Sequence, residues 1–441
     1  MRLELIVHDW SALDDATRRQ LLRRPSLGED DRVREEVRHV LRRVRADGDA
    51  ALRELTREFD GAEVDALRVE DAEFDEAGRA LSEDAAAAIR LAIANVRRFH
   101  EARPSADYAV ETMPGVRCER IAHPIDVVGL YVPAGSAPLP SAAIMLAVPA
   151  AIAGCPRRIL CTPPRRNGRA DPGVLVAARA SGIREIYKVG GAQAIAAMAY
   201  GTGLIPAVDK IFGPGSARVT MAKTLVAAEP GGPAIDMPAG PSEVLVIADA
   251  AADPAFVAAD LLAQAEHGSD SQVVLVATDR RLASSVAHEI RRQLPYLTRR
   301  DIAAGALSSS RLILAKDIRE AIEISNRYAP EHLILQVRDA RPLLPGIRNA
   351  GSVFLGPWSP ESVGDYCSGT NHVLPTHGRA RAYSGLSVDQ FMRHMTVQEL
   401  TQDGLRALAP SVVTLAGLEG LDAHAAAVSC RLRVRRSGSA A

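Results

Sequence analysis

The sequence predicts an α/β fold built from two Rossmann-like βαβ domains. From about residue 117, short runs of Val, Ile and Leu alternate with alanine-rich stretches, a pattern typical of parallel βαβ units. Gly182 and Gly190 stand at junctions between these runs, where open α/β sheets bind their ligands. The segments on either side carry apolar residues at helical spacing, so we expect a helical N-terminal arm and a small helical C-terminal unit.

We therefore expect four parts along the chain. They are a helical arm at residues 1–116, a first α/β domain at 117–237, a second at 238–380, and a C-terminal helical unit at 381–441.

Individual elements follow from periodicity and from start and stop signals. In the arm we expect helices at 31–46, 49–59 and from Ser82 to about residue 99. The strands of the two domains are expected at 126–132, 158–161, 185–189, 208–212, 243–247, 273–277, 311–315, 333–337 and 352–355. The helices between them are expected at 141–153, 173–180, 192–197, 254–265, 281–293 and 317–327. A polar loop follows residue 356, and residues 386–435 look helical.

Composition points to a small-molecule partner. The formal net charge of -1 and the 4% aromatic content of the 441 residues argue against binding of nucleic acid. The longest apolar stretch, residues 142–153, is too short to cross a bilayer. The five cysteines are isolated, without any C-x-x-C pair, which is typical of a reducing compartment. We expect a cytoplasmic protein that has no signal peptide and binds neither membrane nor nucleic acid.

Gln264 and His267 stand three residues apart near the end of a predicted helix, so both project from one face. Neutral imidazole is a common zinc ligand, and a carboxamide oxygen is a weaker one. The alternative is a helix end at which His267 only meets the last carbonyl groups.

Glu331 and His332 follow Pro330 at a predicted helix-to-strand junction. Neighbouring residues in a strand point to opposite faces, but at a junction both can reach one pocket. An imidazole can take up a proton at neutral pH, and a carboxylate can activate water. An exposed loop pair is the alternative.

Three further segments carry candidate groups. Residues 361–372 form a polar loop with Asp365 and His372, and Glu419 and His424 flank a predicted turn near the C-terminus. Residues 213–216, which end at Ser216, lie between a predicted strand and a helix, a context that suits a bound phosphate. The third glycine of G-x-G-x-x-G is missing there, so this dinucleotide signal is weak, and a tight turn capped by Ser216 is the alternative.

Taken together, these segments resemble the histidinol dehydrogenase family from about residue 20 to about residue 434, and the match is strongest at 236–244, 264–268, 329–333, 369–376 and 419–424. The resemblance implies a zinc- and NAD-dependent oxidation of L-histidinol through L-histidinal to L-histidine, the last step of histidine biosynthesis. It implies that His332 is the general base and that Glu331 activates water. One zinc per subunit would be held by Gln264, His267, Asp365 and His424.

The resemblance also implies the remaining contacts. Substrate would be bound by Ser242, Gln264, His267, His332, Asp365, His372, Glu419 and His424. NAD would be contacted by Tyr131, Gln193 and Ser216, although family members commonly have Asn at position 216. The C-terminal unit would be a dimerisation unit that crosses to a neighbouring subunit, so that Glu419 and His424 complete the other subunit's site in an obligatory homodimer.

Three alternatives remain open from the sequence. One is a relative that oxidises another small alcohol, such as a sulfonated diol, and the C-terminal Glu419 and His424 argue against it. Another is a zinc hydrolase in which Glu331 or Glu266 activates a metal-bound water without NAD. The last is a non-catalytic binder that keeps the fold.

Overall fold

The computed structural model describes residues 5–25, 31–102, 107–134, 137–237 and 240–433. Residues 238 and 239, where we expected the second domain to begin, lie outside these ranges. The chain forms two compact units, one comprising Met1–Ala102 and Ile125–Phe391, the other Arg103–Pro124 and Met392–Ala441. The four-part division given above stays a prediction.

Strands and helices are numbered separately in chain order. The strands are β1 (Val7–Asp9), β2 (Tyr108–Met113), β3 (Val116–Pro124), β4 (Val127–Tyr131), β5 (Arg157–Thr162), β6 (Glu185–Lys188), β7 (Lys210–Phe212), β8 (Ala234–Ile235), β9 (Glu243–Ala248), β10 (Gln272–Ala277), β11 (Arg311–Leu314), β12 (His332–Gln336), β13 (Ser352–Leu355) and β14 (Met392–Leu400). The helices are α1 (Asp15–Leu21), α2 (Asp31–Asp60), α3 (Asp71–Ala80), α4 (Glu83–Glu101), α5 (Pro140–Ala153), α6 (Pro172–Ala180), α7 (Gly191–Tyr200), α8 (Ala217–Ala227), α9 (Pro254–Ala265), α10 (Arg280–Gln293), α11 (Arg300–Ser308), α12 (Ile318–Tyr328), α13 (Glu361–Tyr366), α14 (Gln402–Leu418) and α15 (Asp422–Arg433).

The first sheet of the larger unit is parallel, with strand order β6-β5-β4-β7-β8. Leu52 and Leu55 of α2 are fully buried with Ile195 of α7 in the core of this half. The strand order reverses between β4 and β7, and such a switch point opens a crevice at the carboxyl ends of the strands.

The second sheet is also parallel, with order β1-β11-β10-β9-β12-β13. Its last five strands repeat the order of the first sheet, and β1 adds an edge. Every residue of β9, β10 and β12 is buried, as expected of strands covered on both faces. Helices α9, α10 and α11 supply one buried layer, and α1 and α12 the other.

The smaller unit consists of an antiparallel sheet, order β14-β3-β2, and two helices, α14 and α15, that pack on each other. Among the described residues, none of the helices is both long and apolar enough to cross a membrane.

The predicted α/β class is confirmed, and most predicted elements are present. The two helices expected at 31–46 and 49–59 form α2, whose backbone is non-helical at Gly48. The arm is mainly helical, with α1 to α4, and it also contributes β1 and β2. The expectation of helix throughout residues 386–435 was wrong, because β14 lies there beside α14 and α15. Met392 and Met395 have helical spacing, but β14 pairs along its whole length with β3, and this pairing overrides the local pattern.

Candidate active site

Glu331 and His332 are positioned by the turn from α12 into β12. Ala329 adopts a left-handed conformation (φ 53°) at the end of α12, and Pro330 follows because it cannot continue a helix. His332 is the first residue of β12 and pairs with strands on both sides, opposite Val244 and Ser352. A central strand therefore holds the imidazole at its amino end.

Both side chains contact the backbone of Glu243, the first residue of β9. Glu331 Oε2 accepts the Glu243 N–H at 2.8 Å, and His332 Nδ1 lies 3.1 Å from the Glu243 carbonyl oxygen. Nδ1 also lies 3.6 Å from Glu331 Oε2. The two side chains therefore reach one place, even though their positions are adjacent in sequence.

The two ring nitrogens of His332 have different surroundings. A carbonyl oxygen only accepts, so the neutral ring carries its proton on Nδ1. Nε2 is buried and has no hydrogen-bond partner in the described part of the chain; it lies 3.8 Å from Asp365 Oδ1. Burial lowers the pKa of His332, which keeps the imidazole neutral and its Nε2 lone pair available.

Asp365 is carried by α13, a helix where the sequence predicted a loop. Glu361 and Asp365 are four residues apart on this helix and so share a face. Gly364 between them is buried, and a Cβ atom there would lie 2.6 Å from the ring of Phe354 on β13. Only glycine lets α13 approach the second sheet this closely, which brings both carboxyl groups to His332.

Gln264 and His267 lie at the end of α9. Gln264 is fully buried, and His267 is partly exposed. His267 Nδ1 faces the carbonyl oxygen of Ala263 at 3.0 Å, while Nε2 lies 3.8 Å from Asp365 Oδ2. The two oxygens of Asp365 thus face the Nε2 atoms of two different imidazoles.

Glu331 and Glu361 form an acidic cluster with Asp365. The pKa of Glu331 is raised well above its ordinary value by burial and by the charges of Glu243 and Asp365. Burial raises the pKa of Glu361 in the same way, with Asp365 and Glu331 adding to the effect. A bound cation would stabilise the ionised forms of such crowded carboxyl groups.

Ligand atoms of His332, Glu361 and Asp365 lie within 4.8 Å of one another. A donor set of nitrogen and oxygen without thiolate suits a catalytic zinc or manganese ion. His267 also has the arrangement usual for a metal ligand, since its Nδ1 is engaged by a backbone carbonyl and its Nε2 is not. The residues present therefore fit a divalent metal.

The other predicted substrate residues are distributed over both units. Ser242 directly precedes β9 and is partly buried. Burial lowers the pKa of His372, and the charges of Asp365 and His267 also act on it, so His372 lies near the cluster. Glu419 and His424 are exposed and belong to the smaller unit, at the end of α14 and in the first turn of α15.

The predicted cofactor residues lie in the first half. Tyr131 ends β4, next to the switch point, and its hydroxyl accepts the N–H of Gly191 at 3.0 Å. Gln193, in the first turn of α7, is buried, and its Nε2 has no partner within the described ranges. Ser216 is exposed at the N-cap of α8. Gly213 directly follows β7 and has φ 122°, and a Cβ atom there would lie 2.1 Å from the Tyr131 carbonyl oxygen.

Glu361 had no role in the sequence-based interpretation. The sequence predicts a loop at this segment, and in a loop Glu361 and Asp365 have no fixed spatial relation. The signal was their spacing of four residues, which on a helix places two carboxyl groups side by side.

Comparisons with known proteins show which family the chain belongs to. The histidinol dehydrogenase family model matches residues 23–432. A histidinol dehydrogenase of Xanthomonas campestris pv. campestris (strain 8004) is 56% identical over 97% of this chain and 99% of that protein. One from Vibrio cholerae is 54% identical over 96% of this chain and 97% of that protein. The crystal structure of histidinol dehydrogenase from Elizabethkingia anophelis superposes with a TM-score of 0.93 at 44% identity, covering 98% of each chain.

These matches extend over nearly the whole chain, including both sheets and the C-terminal helices. Because all of these relatives are dehydrogenases, the matches exclude the two other classes considered from the sequence, the zinc hydrolase and the non-catalytic binder. The chain is an oxidoreductase that belongs to the histidinol dehydrogenase family.

Proposed function

We propose that this protein oxidises L-histidinol to L-histidine in two NAD-dependent steps, with L-histidinal as the bound intermediate. The observation that carries the proposal is the buried His332 in a chain of this family. Its Nε2 lies beside Asp365 and has no hydrogen-bond partner among the described residues, and Glu331 is its neighbour. Histidine biosynthesis ends with this reaction, and we place the enzyme in the cytoplasm, where the five free cysteines stay reduced.

In the first step, His332 is the general base. Nε2 takes the proton of the substrate hydroxyl while the carbinol carbon gives its hydride to NAD, which leaves the aldehyde and one NADH. The lowered pKa of His332 supports this role, because a neutral base is present throughout the physiological pH range.

In the second step, Glu331 activates water. Its carboxylate takes a proton from water as the oxygen adds to the aldehyde carbon. His332, protonated in the first step, gives its proton to the former carbonyl oxygen, so the product is the hydrate and the imidazole is neutral again. His332 then takes a hydroxyl proton of the hydrate while a second NAD accepts the hydride, which leaves the acid. The raised pKa of Glu331 supports this role, because a more basic carboxylate takes up a proton more readily.

We propose that zinc, one ion per subunit, is held by Gln264, His267 and Asp365 with His424 as the fourth protein ligand. Bound zinc would orient the amino and imidazole nitrogens of the substrate and polarise its oxygen. His332 lies close enough to Glu361 and Asp365 to share a metal ion with them, but a nitrogen that binds metal cannot also accept a proton. For this reason we assign it as base and not as ligand.

The remaining substrate contacts are proposed at Ser242, His372 and Glu419. The unpartnered Nε2 of His372, in the described part of the chain, supports a contact with a polar ligand, since buried polar atoms are normally paired.

NAD is proposed to bind at the carboxyl edge of the first sheet, in contact with Tyr131, Gln193 and Ser216. The position of Tyr131 and Gly213 at the switch point supports this, as does the unpaired Nε2 of Gln193 among the described contacts. Ser216 stands at the start of α8, where main-chain N–H groups favour phosphate.

We propose that the enzyme is a homodimer in which Glu419 and His424 complete the site of the other subunit. Exposed apolar side chains on the second unit support this. Leu415 and Leu418 of α14 are 59% and 80% exposed, and such surfaces usually mark an interface between proteins.

The proposal is tested by stoichiometry. Purified protein with limiting histidinol and excess NAD should form about two NADH per histidinol, and about one per histidinal, because each hydride transfer reduces one NAD. Chelation of the metal should stop turnover, and zinc should restore it. If no NADH forms, the proposal is wrong. About one NADH per histidinol would instead indicate a relative that performs a single oxidation.

A further inference from the structure

Gln264 and Glu361 form a fixed pair beside the proposed metal ligands. Hydrogen bonding assigns the orientation of the Gln264 amide: its nitrogen lies 2.7 Å from Glu361 Oε1 and 3.3 Å from Oε2. The reverse orientation would set the amide oxygen against two carboxyl oxygens. The nitrogen also lies 3.2 Å from His332 Nδ1, but that atom carries its proton toward Glu243, so Glu361 is the acceptor.

Both partners of this pair are enclosed. Gln264 is 0% exposed and Glu361 2% exposed, so water does not compete for the amide. The two residues are held by different elements, α9 and α13, which pack on each other. With its nitrogen bound to Glu361, the amide of Gln264 has its oxygen on the far side, directed away from the carboxyl group.

We propose that Glu361 is a positioning residue that fixes the amide of Gln264, so that Gln264 offers oxygen, and not nitrogen, to the metal. The inference rests on the proposed function, in which Gln264 is a metal ligand. An amide nitrogen has no lone pair for a metal, so a freely rotating Gln264 would be a ligand in only one of its two orientations. Glu361 also lies close enough to His332 and Asp365 to bind a metal ion with them. In this assignment, however, Glu361 acts through Gln264 and is not itself a ligand.

The test measures zinc affinity by competition with a chromophoric chelator on the wild type and on Glu361→Ala, Glu361→Gln and Gln264→Ala. Glu361→Ala should weaken zinc binding about 10- to 100-fold, the usual effect of losing a residue that orients a ligand. Glu361→Gln keeps an acceptor oxygen and should recover most of the affinity. Far-UV circular dichroism and thermal melting check that each variant is folded.

The double variant separates positioning from direct ligation. If Glu361 acts through Gln264, then Gln264→Ala with Glu361→Ala should bind zinc no more weakly than Gln264→Ala alone. In Co²⁺-substituted protein, Glu361→Gln should keep the wild-type visible absorption spectrum, because the ligand set is unchanged. Additive losses in the double variant, or an altered Co²⁺ spectrum in Glu361→Gln, would show that Glu361 is a ligand and overturn the inference.

The inference and the proposed function fail in different ways. A wild type that oxidises histidinol, but whose zinc affinity is the same in Glu361→Ala, overturns only the positioning role. A wild type that binds no zinc overturns both.

Discussion

Glu331 accepts the main-chain N–H of Glu243 at 2.8 Å, so the proposed water activator is fixed by the neighbouring strand. The amide of Glu331→Gln can keep this hydrogen bond through its oxygen while losing its basicity. We expect the variant to oxidise histidinol once and then stall, forming about one NADH, with turnover of added histidinal reduced about 10²- to 10⁴-fold. A two-NADH yield at wild-type rate would contradict the assignment.

His332→Asn removes the proposed base of both steps. Both the oxidation of histidinol and that of histidinal should fall about 10²- to 10⁴-fold, because each step requires a proton acceptor. Stopped-flow measurement of NADH from each substrate distinguishes this pattern from that of Glu331→Gln. If only one of the two reactions is slowed, His332 is not the shared base.

Gly364 and Gly78 are a matched pair of helical glycines. Gly364→Ala should displace α13, because its Cβ would lie 2.6 Å from the ring of Phe354, and we expect lower stability and weaker zinc binding. A Cβ atom at Gly78 of α3 would meet none of the described residues within 4 Å, so Gly78→Ala should be neutral or stabilising by up to about 1 kcal/mol. Thermal melts and zinc competition on both variants check this. Equal effects at the two positions would contradict the packing argument.

Lys223 and Asp236 form a buried ion pair, with side chains 3% and 1% exposed. Asp236 also accepts the N–H of Gly213 at 2.8 Å, so the pair holds the turn after β7. Lys223→Met should cost about 3–5 kcal/mol, because it leaves the buried Asp236 without its ion-pair partner. Glu289→Gln, which breaks a solvent-accessible pair with Arg292, should leave the stability nearly unchanged.

Urea denaturation at pH 7 compares the two ion-pair variants with the wild type. The expected result is a clear fall in the midpoint for Lys223→Met only. Comparable midpoints would show that the buried pair is not stabilising.

Asp60 gives a pH dependence of stability. Burial raises its pKa from 3.8 to about 6, so the folded state disfavours the ionised carboxyl group. The loss of folding free energy caused by ionised Asp60 is absent below about pH 4. It grows as the pH rises toward 6 and is complete above pH 6. Asp60→Asn should therefore be more stable than the wild type at pH 8, by about 1 kcal/mol after allowing for partial exposure, and equal to it at pH 4. Thermal melts at both pH values test this, and a gain that appears only at pH 4 would reverse the argument.

Subunit complementation tests the shared site. Neither His424→Ala nor His332→Asn should be active alone. Unfolding and refolding them together makes half of the dimers mixed, each with one intact site of two, so about a quarter of wild-type activity should return. Each variant refolded alone is the control. No recovery in the mixture would place His332 and His424 in the same subunit's site.

Much of the fold follows from local sequence signals. Pro330 predicted the end of α12, which stops at Tyr328. The buried strands β9 and β10 are runs of apolar residues after their first positions, Glu243 and Gln272. The strand order did not follow, because it depends on which strands pair across the sheet. The sequence did not predict β14 either, because this strand forms by pairing with the distant β3. Its residues are mostly exposed, so they show no alternation of apolar and polar positions that would indicate a strand.

The candidate site was predictable from the sequence where its residues are close neighbours in the chain. The Gln264–His267 and Glu331–His332 pairs stand out as short motifs, although their roles came from resemblance to a family. The packing of α13 against Phe354 was not predictable, because it depends on a glycine whose significance appears only beside the second sheet. That packing is what brings Glu361 to Gln264.

The two sheets share one strand order, yet the proposed chemistry uses the carboxyl ends of the first and the amino ends of the second. Asp249 directly follows β9 and fixes the turn there, because its carboxylate accepts the N–H groups of Ala251 and Arg338 at 2.9 and 3.1 Å. Ala250 and Ala251 at this turn are exposed. For protein engineering, this turn is the natural position for a fluorescent label, because the length of β9 separates it from the reacting groups.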